Sequence, residues 1–225
     1  NLICDSSYDP DKHWNGLSPF GTEVVEEMNR LGLLVDISHV SDSAFYQVLE
    51  ITKAPLVATH SSCRHFTPGF ERNMSDDMIK KLAENRGVIQ INFGSFFING
   101  DHQQKMSKAW DKIDRSNMTA EERSAYIEQY MIENNVPVVQ IEEVADHIDH
   151  VVKLVGIDYV GIGSDYDGVS NLPEGLTDVS MYPNLIKLLL ERGYTEEDIQ
   201  KIWSGNFLRV WEEAETIANN LQDEA

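Results

Sequence analysis

A chain of 225 residues with 41% hydrophobic and 25% charged residues can bury a sizeable core, which makes one folded domain the expected organisation. Its formal net charge of -20 excludes nucleic acid and anionic membrane surfaces as favoured partners, since both would repel such a polyanion. No apolar run approaches the roughly 20 residues that span a bilayer, so this segment is expected to be soluble. The chain opens at Asn1 without an initiator methionine, which leaves the compartment undetermined and a signal peptide open.

From Leu17 onward, apolar runs alternate with amphipathic stretches, which is the pattern of βα units around a parallel sheet. Ser41 and Ser75 are predicted to cap helices that lead into strands. A helix is predicted over residues 22–31, ahead of the first strand. The four predicted strands are residues 33–39, 54–60, 88–93 and 159–166.

Residues 100–137 interrupt this alternation with a polar stretch and a helix that begins at a capping box, Thr119 with Glu122. We interpret this region as an insertion over the mouth of a barrel. A helix over about residues 141–155 then ends at Gly156. Three more helices are predicted to close the chain, at about residues 182–192, 196–203 and 206–220.

Four βα units are half of the eight that close a TIM-type (β/α)8 barrel. The sequence is therefore predicted to form a single α/β domain over residues 1–225 that supplies about the last four βα units of such a barrel plus C-terminal helices. A free half barrel would expose two open sheet edges. We expect the chain to fold with a missing N-terminal half, a partner chain or a copy of itself.

Two histidines, His39 and His60, each stand at the last residue of a predicted strand. The carboxyl ends of barrel strands converge on one rim, so these imidazoles are expected to meet there. Neutral imidazole suits zinc, and an oxygen ligand and a water would complete an open catalytic site. Either histidine alone is better explained as a partly buried residue that stabilises a loop through its own hydrogen bonds. Two histidines at the same level of adjacent strands favour a shared metal.

Two aspartates, Asp165 and Asp167, lie in the sequence GIGSDYDG at the end of the fourth predicted strand. In an extended chain, residues two apart point to the same side. A carboxylate facing the rim can take a proton from an activated water and deliver it to a leaving amine. The alternative is an aspartate that forms a turn before Gly168, and by itself this explains the pattern equally well.

An ordered set of motifs extends over nearly the whole chain and is weakest at residues 100–137. These motifs resemble, in the same order, the renal (membrane) dipeptidase family, which comprises zinc-dependent dipeptidases of peptidase family M19. The match is to the C-terminal portion of that family. The motifs are GLSPFG (16–21), LVDISHVS (34–41), VATHSS (57–62), ERNMSDD (71–77), INF (91–93), VADHIDHVVKLVG (144–156), VGIGSDYDGV (160–169), PEGLTDVSMYPNL (173–185) and GNFLRVW (205–211).

The resemblance implies a TIM-type barrel of the metal-dependent hydrolase kind that cleaves dipeptides with a hydroxide bridging two zinc ions. It implies that His39 and His60 hold one of these ions, and that Asp165 transfers the proton. It also implies that Arg72, in the ERN motif, binds the free carboxylate of the dipeptide, and a guanidinium fork suits that bidentate contact. Arg64 is a rival for this role, and the ERN match decides for Arg72.

The resemblance also implies that several ligands lie upstream of Asn1: a His-x-Asp pair, a Glu that bridges the two zinc ions, and a substrate-polarising His. The one His-x-Asp in this chain, at His147 and Asp149, falls in a predicted helix, where residues i and i+2 face different directions. We expect a helix-packing or solvated role for His147. Gly94 stands where some members carry a tyrosine, which puts one substrate contact of the family in question.

The implied partners are a dipeptide substrate and the missing half of the barrel. Members of the family are often dimers, so a homodimer is one candidate assembly, and the resemblance leaves exported or membrane-anchored forms open. Two alternatives stay open. One is another metal-dependent amidohydrolase, acting on a lactone or cyclic amide, and the other is a non-catalytic barrel fragment without the upstream ligands. Three further histidines are interpreted as loop residues without ligand roles: His13, His65 and His102.

Overall fold

The computed structural model describes residues 1–113 and 117–224. These residues form an α/β structure in which helices predominate around one three-stranded parallel sheet of order β1-β2-β3. In register, Val57 pairs with Val88 and Ile89 pairs with Val160. The predicted α/β class is confirmed. The strands are β1 (Val57–Ser61), β2 (Val88–Ile91) and β3 (Val160–Ile162).

Helices surround this sheet, and a π-helical turn (Lys201–Gly205) joins the last two of them. The helix predicted over residues 141–155 forms with those bounds. The helices are α1 (Pro19–Leu31), α2 (Asp42–Ile51), α3 (Asp76–Glu84), α4 (Ser95–Ile98), α5 (Gly100–Trp110), α6 (Ala120–Glu133), α7 (Ile141–Val155), α8 (Tyr182–Glu191), α9 (Glu196–Gln200) and α10 (Asn206–Asp223).

The predicted helix caps form as hydrogen bonds from backbone N–H groups to side-chain oxygens. The Ser41 hydroxyl accepts from Ala44, and the Ser75 hydroxyl accepts from Met78. The capping box of α6 is also present: the Thr119 hydroxyl accepts from the Glu122 N–H, and the Glu122 carboxylate accepts from the Thr119 N–H. Each cap satisfies donors that the first turn of a helix leaves unpaired, so these local sequences set where the helices begin.

The first predicted strand, residues 33–39, does not form. The chain makes one isolated parallel bridge there, between Asp36 and Val57. Two hydrogen bonds flank it, from Ile37 N–H to Val57 O at 2.8 Å and from Val57 N–H to Val35 O at 3.1 Å. Beyond them the chain turns away, because the Asp36 carboxylate accepts the Ser38 N–H and His39 has a left-handed backbone with φ of 71°.

The fourth predicted strand is shorter than expected and ends at Ile162. Asp165 and Asp167 have left-handed backbones, with φ of 59° and 69°, so the extended geometry predicted for them is wrong. The N–H groups of Gly168 and Val169 donate to the Asp165 carbonyl at 3.0 and 3.2 Å. The segment is therefore the turn of the alternative interpretation, and aspartate is among the residues that tolerate this conformation.

The main core lies between the sheet and the helices that cover it, and Ile89 and Ile91 of the central strand are fully buried. Residues 100–137 add a smaller apolar cluster of their own between α5 and α6, formed by Met106, Ala109, Tyr130 and Val136. Among the described helices, none has the length and apolar character required to cross a bilayer.

Candidate functional site

His39 and His60 come together where their segments leave the sheet. Their Nε2 atoms lie 2.9 Å apart, and their ring centroids are 4.9 Å apart. β1 positions His60, whereas His39 is positioned by the turn after the Asp36 bridge. The structure therefore brings these two predicted residues into direct contact, although one of the two predicted strands is absent.

The His60 ring is oriented by a short chain of hydrogen bonds. The Thr59 hydroxyl donates to Asp36 Oδ2 at 2.6 Å and lies 2.7 Å from His60 Nδ1. Because its single proton goes to Asp36, the hydroxyl accepts the Nδ1 proton of His60. This leaves the lone pair of His60 on Nε2, aimed at His39. An outer partner that fixes the tautomer in this way is a regular feature of metal-binding histidines.

Both imidazoles are disposed to be neutral. Desolvation lowers the pKa of His39 to about 4, and the nearby Arg72 guanidinium and His60 act in the same direction. Desolvation and Arg72 likewise lower the pKa of His60. Neutral imidazole is the form that binds metal, so two neutral nitrogens facing each other fit a shared divalent ion.

Three of the six described non-glycine residues with positive φ lie at this site: His39, Asp165 and Asp167. His39 and Asp165 both have positive φ, a conformation that is uncommon for residues other than glycine. Such residues cluster at functional sites, where the surrounding structure holds them in place. Strain at two of the four predicted site residues therefore agrees with a functional role for this rim.

Arg72 is buried and packs beside His60. Its Nη1 donates to Ser61 Oγ at 2.7 Å, and its Nη2 donates to the His60 carbonyl at 2.6 Å. Its guanidinium lies 5.4 Å from the centroid of the Phe97 ring. Among the described residues, the buried Nε of Arg72 has no hydrogen-bond partner.

The rival arginine, Arg64, is fully engaged in the scaffold. Its guanidinium makes a bidentate ion pair with Asp42, at 2.6 and 2.7 Å. It also donates to the backbone carbonyls of Asn73 and Glu71. These contacts tie the start of α2 to the loop before α3, which is a structural role.

Asp165 is held by Asn92, a residue that the sequence reasoning did not single out. Asn92 is fully buried, and its Nδ2 donates to Asp165 Oδ2 at 2.8 Å, while its Oδ1 accepts the Gly94 N–H at 2.7 Å. Gly168 leaves room for the other carboxylate oxygen, since a Cβ there would lie 2.1 Å from Asp165 Oδ1. The position of Asn92 in the INF motif, directly after a strand, was the signal that could have identified it.

A cavity of about 700 Å³ opens onto this rim and is lined by His39, Asp165 and Asp167. Gly94 also lines it, where a tyrosine side chain stands in some members of the family that the sequence resembles. The remaining wall is rich in aromatic residues, none of which the sequence had singled out: Tyr8, Phe96, Phe97 and Trp110.

The other histidines lie elsewhere. His147 is fully buried, with its Nδ1 accepting the Cys63 N–H at 3.0 Å and its Nε2 3.0 Å from the Ile98 carbonyl. It packs α7 against the core, as expected. His13 is an exposed loop residue, whereas His102 is buried and contacts the Pro137 carbonyl at 2.9 Å.

A pair of imidazoles at the edge of a parallel sheet, with a carboxylate lining the adjoining cavity, has the ligand types that catalytic zinc binds. Residues 1–225 match the sequence model of the membrane dipeptidases, peptidase family M19. The chain belongs to the membrane dipeptidase family.

Individual relatives agree with this assignment. An uncharacterized dipeptidase of Schizosaccharomyces pombe is 38% identical over 213 residues, which cover 94% of this chain and 42% of the relative. This chain therefore spans less than half the length of that protein. A crystal structure of a probable dipeptidase, PvdM, from Pseudomonas aeruginosa has a TM-score of 0.80 at 31% identity, over 96% of this chain and 60% of the other.

A metallo peptidase from Rhodobacter sphaeroides, solved with a phosphinate mimic of the dipeptide L-Ala-D-Ala, is also 31% identical. Its TM-score is 0.70, and the match covers 89% of this chain and 48% of that one. The family is one of metallopeptidases, which implies that its members bind metal ions.

Proposed function

We propose that this chain is the C-terminal, metal-binding portion of a zinc-dependent dipeptidase built on a TIM-type barrel. The observation that supports this most strongly is the 2.9 Å contact between the Nε2 atoms of His39 and His60, inside a chain of the membrane dipeptidase family. An upstream segment would supply the remaining strands, the His-x-Asp pair, the bridging Glu and the substrate-polarising His. Residues 100–137 would cover the mouth of the barrel, and Trp110 in the cavity wall supports this.

In the proposal, His39 and His60 hold one of two zinc ions through their Nε2 atoms. Bound zinc supplies Lewis acidity and lowers the pKa of a coordinated water, which is the source of the nucleophile. The protein's own contribution is to keep both imidazoles neutral and aimed at one point. Desolvation lowers the pKa of both imidazoles and so keeps them neutral. The hydrogen bonds through Thr59 to Asp36 orient the His60 ring.

Arg72 binds the C-terminal carboxylate of the substrate in this proposal. Its partnerless Nε supports the role, since a carboxylate would satisfy that buried donor and gain a charge-assisted hydrogen bond. Because Nη1 and Nη2 are anchored on Ser61 and His60, the guanidinium has a fixed distance from the histidine pair. A fixed carboxylate site beside the metal limits the substrate to very short peptides.

Asp165 transfers the proton to the departing amine. It faces the cavity, and the Asn92 amide holds one of its carboxylate oxygens, which leaves the other available for proton exchange. A carboxylate held in one orientation in the wall of the cavity has the fixed position that general acid–base catalysis requires.

A dipeptide fits the dimensions of this site. The cavity of about 700 Å³ combines aromatic residues that can contact side chains with the polar groups of His39, Asp165 and Asp167. The Rhodobacter sphaeroides relative was solved with a mimic of a dipeptide whose C-terminal residue is D-Ala. We extend this to the present protein as tolerance of a D-residue at the C-terminal position.

The test uses the full-length protein. We expect hydrolysis of free dipeptides, and little or none of the same dipeptides with an amidated C-terminus, of lactones or of cyclic amides. The His39→Ala and His60→Ala variants should each lose about one zinc ion per chain and nearly all turnover, whereas the exposed loop variant His13→Ala should retain both. Hydrolysis of lactones but not of dipeptides would contradict the proposal and assign the protein to another class of metal-dependent amidohydrolase. Full zinc occupancy in both histidine variants would remove the pair from the metal site.

A further inference from the structure

A second group of metal-ligand side chains lies outside the cavity. One ligand atom from each of His65, Asp76 and His150 lies within 4.8 Å of the other two. His150 Nε2 is 2.8 Å from Asp76 Oδ1, and the rings of His65 and His150 stack at 4.4 Å with an interplanar angle of 21°. None of the three lines the cavity that contains His39 and Asp165. We call these residues the outer histidine cluster.

The backbone fixes the relative positions of the outer histidine cluster. Cys63 and Met74 form a parallel bridge, and His65 and Asp76 follow them by two residues each, so the bridge brings these side chains to the same place. The Cys63 N–H donates to Nδ1 of His147, one helical turn before His150 on α7. One small network therefore positions a turn, the start of α3 and a face of α7.

The donor set has the chemistry of a transition-metal site. Two imidazoles and one carboxylate form a common set of protein ligands for zinc with an open position, and the His65 end is exposed to solvent. Tetrahedral zinc with bonds of about 2.0–2.1 Å separates its ligand atoms by roughly 3.3 Å. The ligand atoms now lie within 4.8 Å of one another, so side-chain rotations that change their separations by at most about 1.5 Å would reach that spacing.

A hydrogen bond between His150 and Asp76 explains only part of this arrangement. The contact between His150 and Asp76 would join α7 to α3 without any metal. It does not account for the third donor, since His65 is exposed and yet its ring lies against that of His150. The net charge of -20 also draws cations to the protein surface, which favours occupation of a three-ligand site.

We propose that the outer histidine cluster binds a divalent ion of the zinc class, separately from the His39–His60 pair. The ion would join the turn at Arg64–Phe66, the start of α3 and the middle of α7. Binding to the folded state alone stabilises a protein, so this ion would raise its resistance to unfolding. The inference stands on these three side chains and does not depend on the dipeptidase activity.

The test is a zinc titration of the full-length protein with two matched variants. His65→Phe keeps an aromatic ring on His150 but removes the ligand nitrogen. His13→Phe is the control, because His13 is likewise exposed and likewise contacts an aromatic neighbour, Trp14. We expect His65→Phe to bind about one zinc ion fewer, or to bind it at least about 10–100-fold more weakly, the range that loss of an outer-shell partner already costs. The control should match the wild type.

Thermal unfolding gives a second readout. Excess zinc should raise the Tm of the wild type and of His13→Phe by more than that of His65→Phe. Combining His39→Ala with His65→Phe should remove about two zinc ions, because the two sites are independent. Equal zinc stoichiometry, affinity and Tm shift in His65→Phe and His13→Phe would overturn the proposal. If His39→Ala loses a zinc ion and His65→Phe does not, the result would support the proposed catalytic site and reject the outer histidine cluster as a metal site.

Discussion

The hydroxyl of Thr59 joins His60 to Asp36: it lies 2.7 Å from Nδ1 of His60 and donates to Asp36 Oδ2 at 2.6 Å. This chain of contacts fixes which nitrogen of His60 carries its proton. The geometry makes Thr59 a positioning residue for the metal ligand, although Thr59 need not contact a metal or the substrate.

The first prediction concerns this hydroxyl. Thr59→Val keeps the size of the side chain but removes the acceptor for Nδ1–H, so the His60 ring loses its fixed tautomer and orientation. We expect zinc affinity at the His39–His60 site to fall about 10–100-fold, the usual cost of removing an outer-shell partner. Competition titration with a chromophoric chelator measures it. Thr59→Ser, which keeps the hydroxyl, should retain near wild-type affinity, and equal losses in both variants would contradict the role.

The second prediction concerns substrate recognition by Arg72. Arg72→Lys keeps a positive charge but cannot replace a guanidinium that is anchored on Ser61 and His60 while a third nitrogen remains available. We expect kcat/KM for free dipeptides to fall about 10–100-fold, corresponding to one charge-assisted hydrogen bond of about 1.5–3 kcal/mol. Steady-state kinetics measures the loss.

Arg64→Lys is the matched control for Arg72→Lys. Arg64 makes its bidentate contact with Asp42, away from the cavity wall, so this variant should change stability more than kcat/KM. A larger loss of kcat/KM in Arg64→Lys than in Arg72→Lys would reverse the assignment of the two arginines.

The third prediction uses the contact between Asn92 and Asp165. Asn92→Asp has nearly the same shape but places a second carboxyl group where the amide now donates to Asp165 Oδ2. Like charges this close cannot both ionise easily, so the pair should take up a proton at higher pH than Asp165 alone. We expect the acidic limb of the pH profile of kcat/KM to move upward by about one unit or more.

Measuring that profile separates positioning from simple structural damage. A variant that only loosens the fold would lower kcat/KM at every pH and leave the limb where it was. Thermal unfolding at neutral pH, run beside the kinetics, shows how much stability the buried substitution costs. An unshifted acidic limb would mean that Asp165 does not carry the transferred proton.

Local sequence predicted the parts of this fold that local interactions determine. The caps at Ser41, Ser75 and Thr119 depend on hydrogen bonds within one helical turn, and the structure contains all three. The helix Ile141–Val155 was also predicted, since its apolar residues recur at helical spacing. The placement of His39 and His60 at segment ends needed only the position of the apolar runs.

The remaining features depend on contacts between distant segments, which a single sequence does not display. Residues 33–39 include apolar and β-branched residues such as Val35 and Ile37, but the side-chain bonds of Asp36 and the left-handed His39 limit the segment to one bridge. The hydrogen bond between Asn92 and Asp165 joins residues that are 73 positions apart in the sequence. The aromatic wall of the cavity likewise combines Tyr8 with residues of α4 and α5, far apart along the chain.

The last prediction concerns acid stability and His147. Burial lowers the pKa of His147 from 6.5 to about 4, with His150 and His65 acting in the same direction and the Ile98 carbonyl opposing them. Protonation of Nδ1 would also break its hydrogen bond with the Cys63 N–H. The unfolded chain therefore binds a proton more readily. The stabilisation from neutral His147 is fully present above about pH 6.5 and is lost as the pH falls through about 4.

The shift corresponds to at most about 3 kcal/mol, and urea unfolding at a series of pH values in the presence of a chelator measures it. His147→Gln provides the comparison, because glutamine cannot be protonated and can keep one of the two hydrogen bonds. We expect the variant to be less stable than the wild type by about 1–3 kcal/mol near pH 7.5. The difference should shrink toward pH 4.5. If the free energy of unfolding depends on pH in the same way for both proteins, the pKa of His147 does not differ between the folded and unfolded chain, which would contradict the prediction.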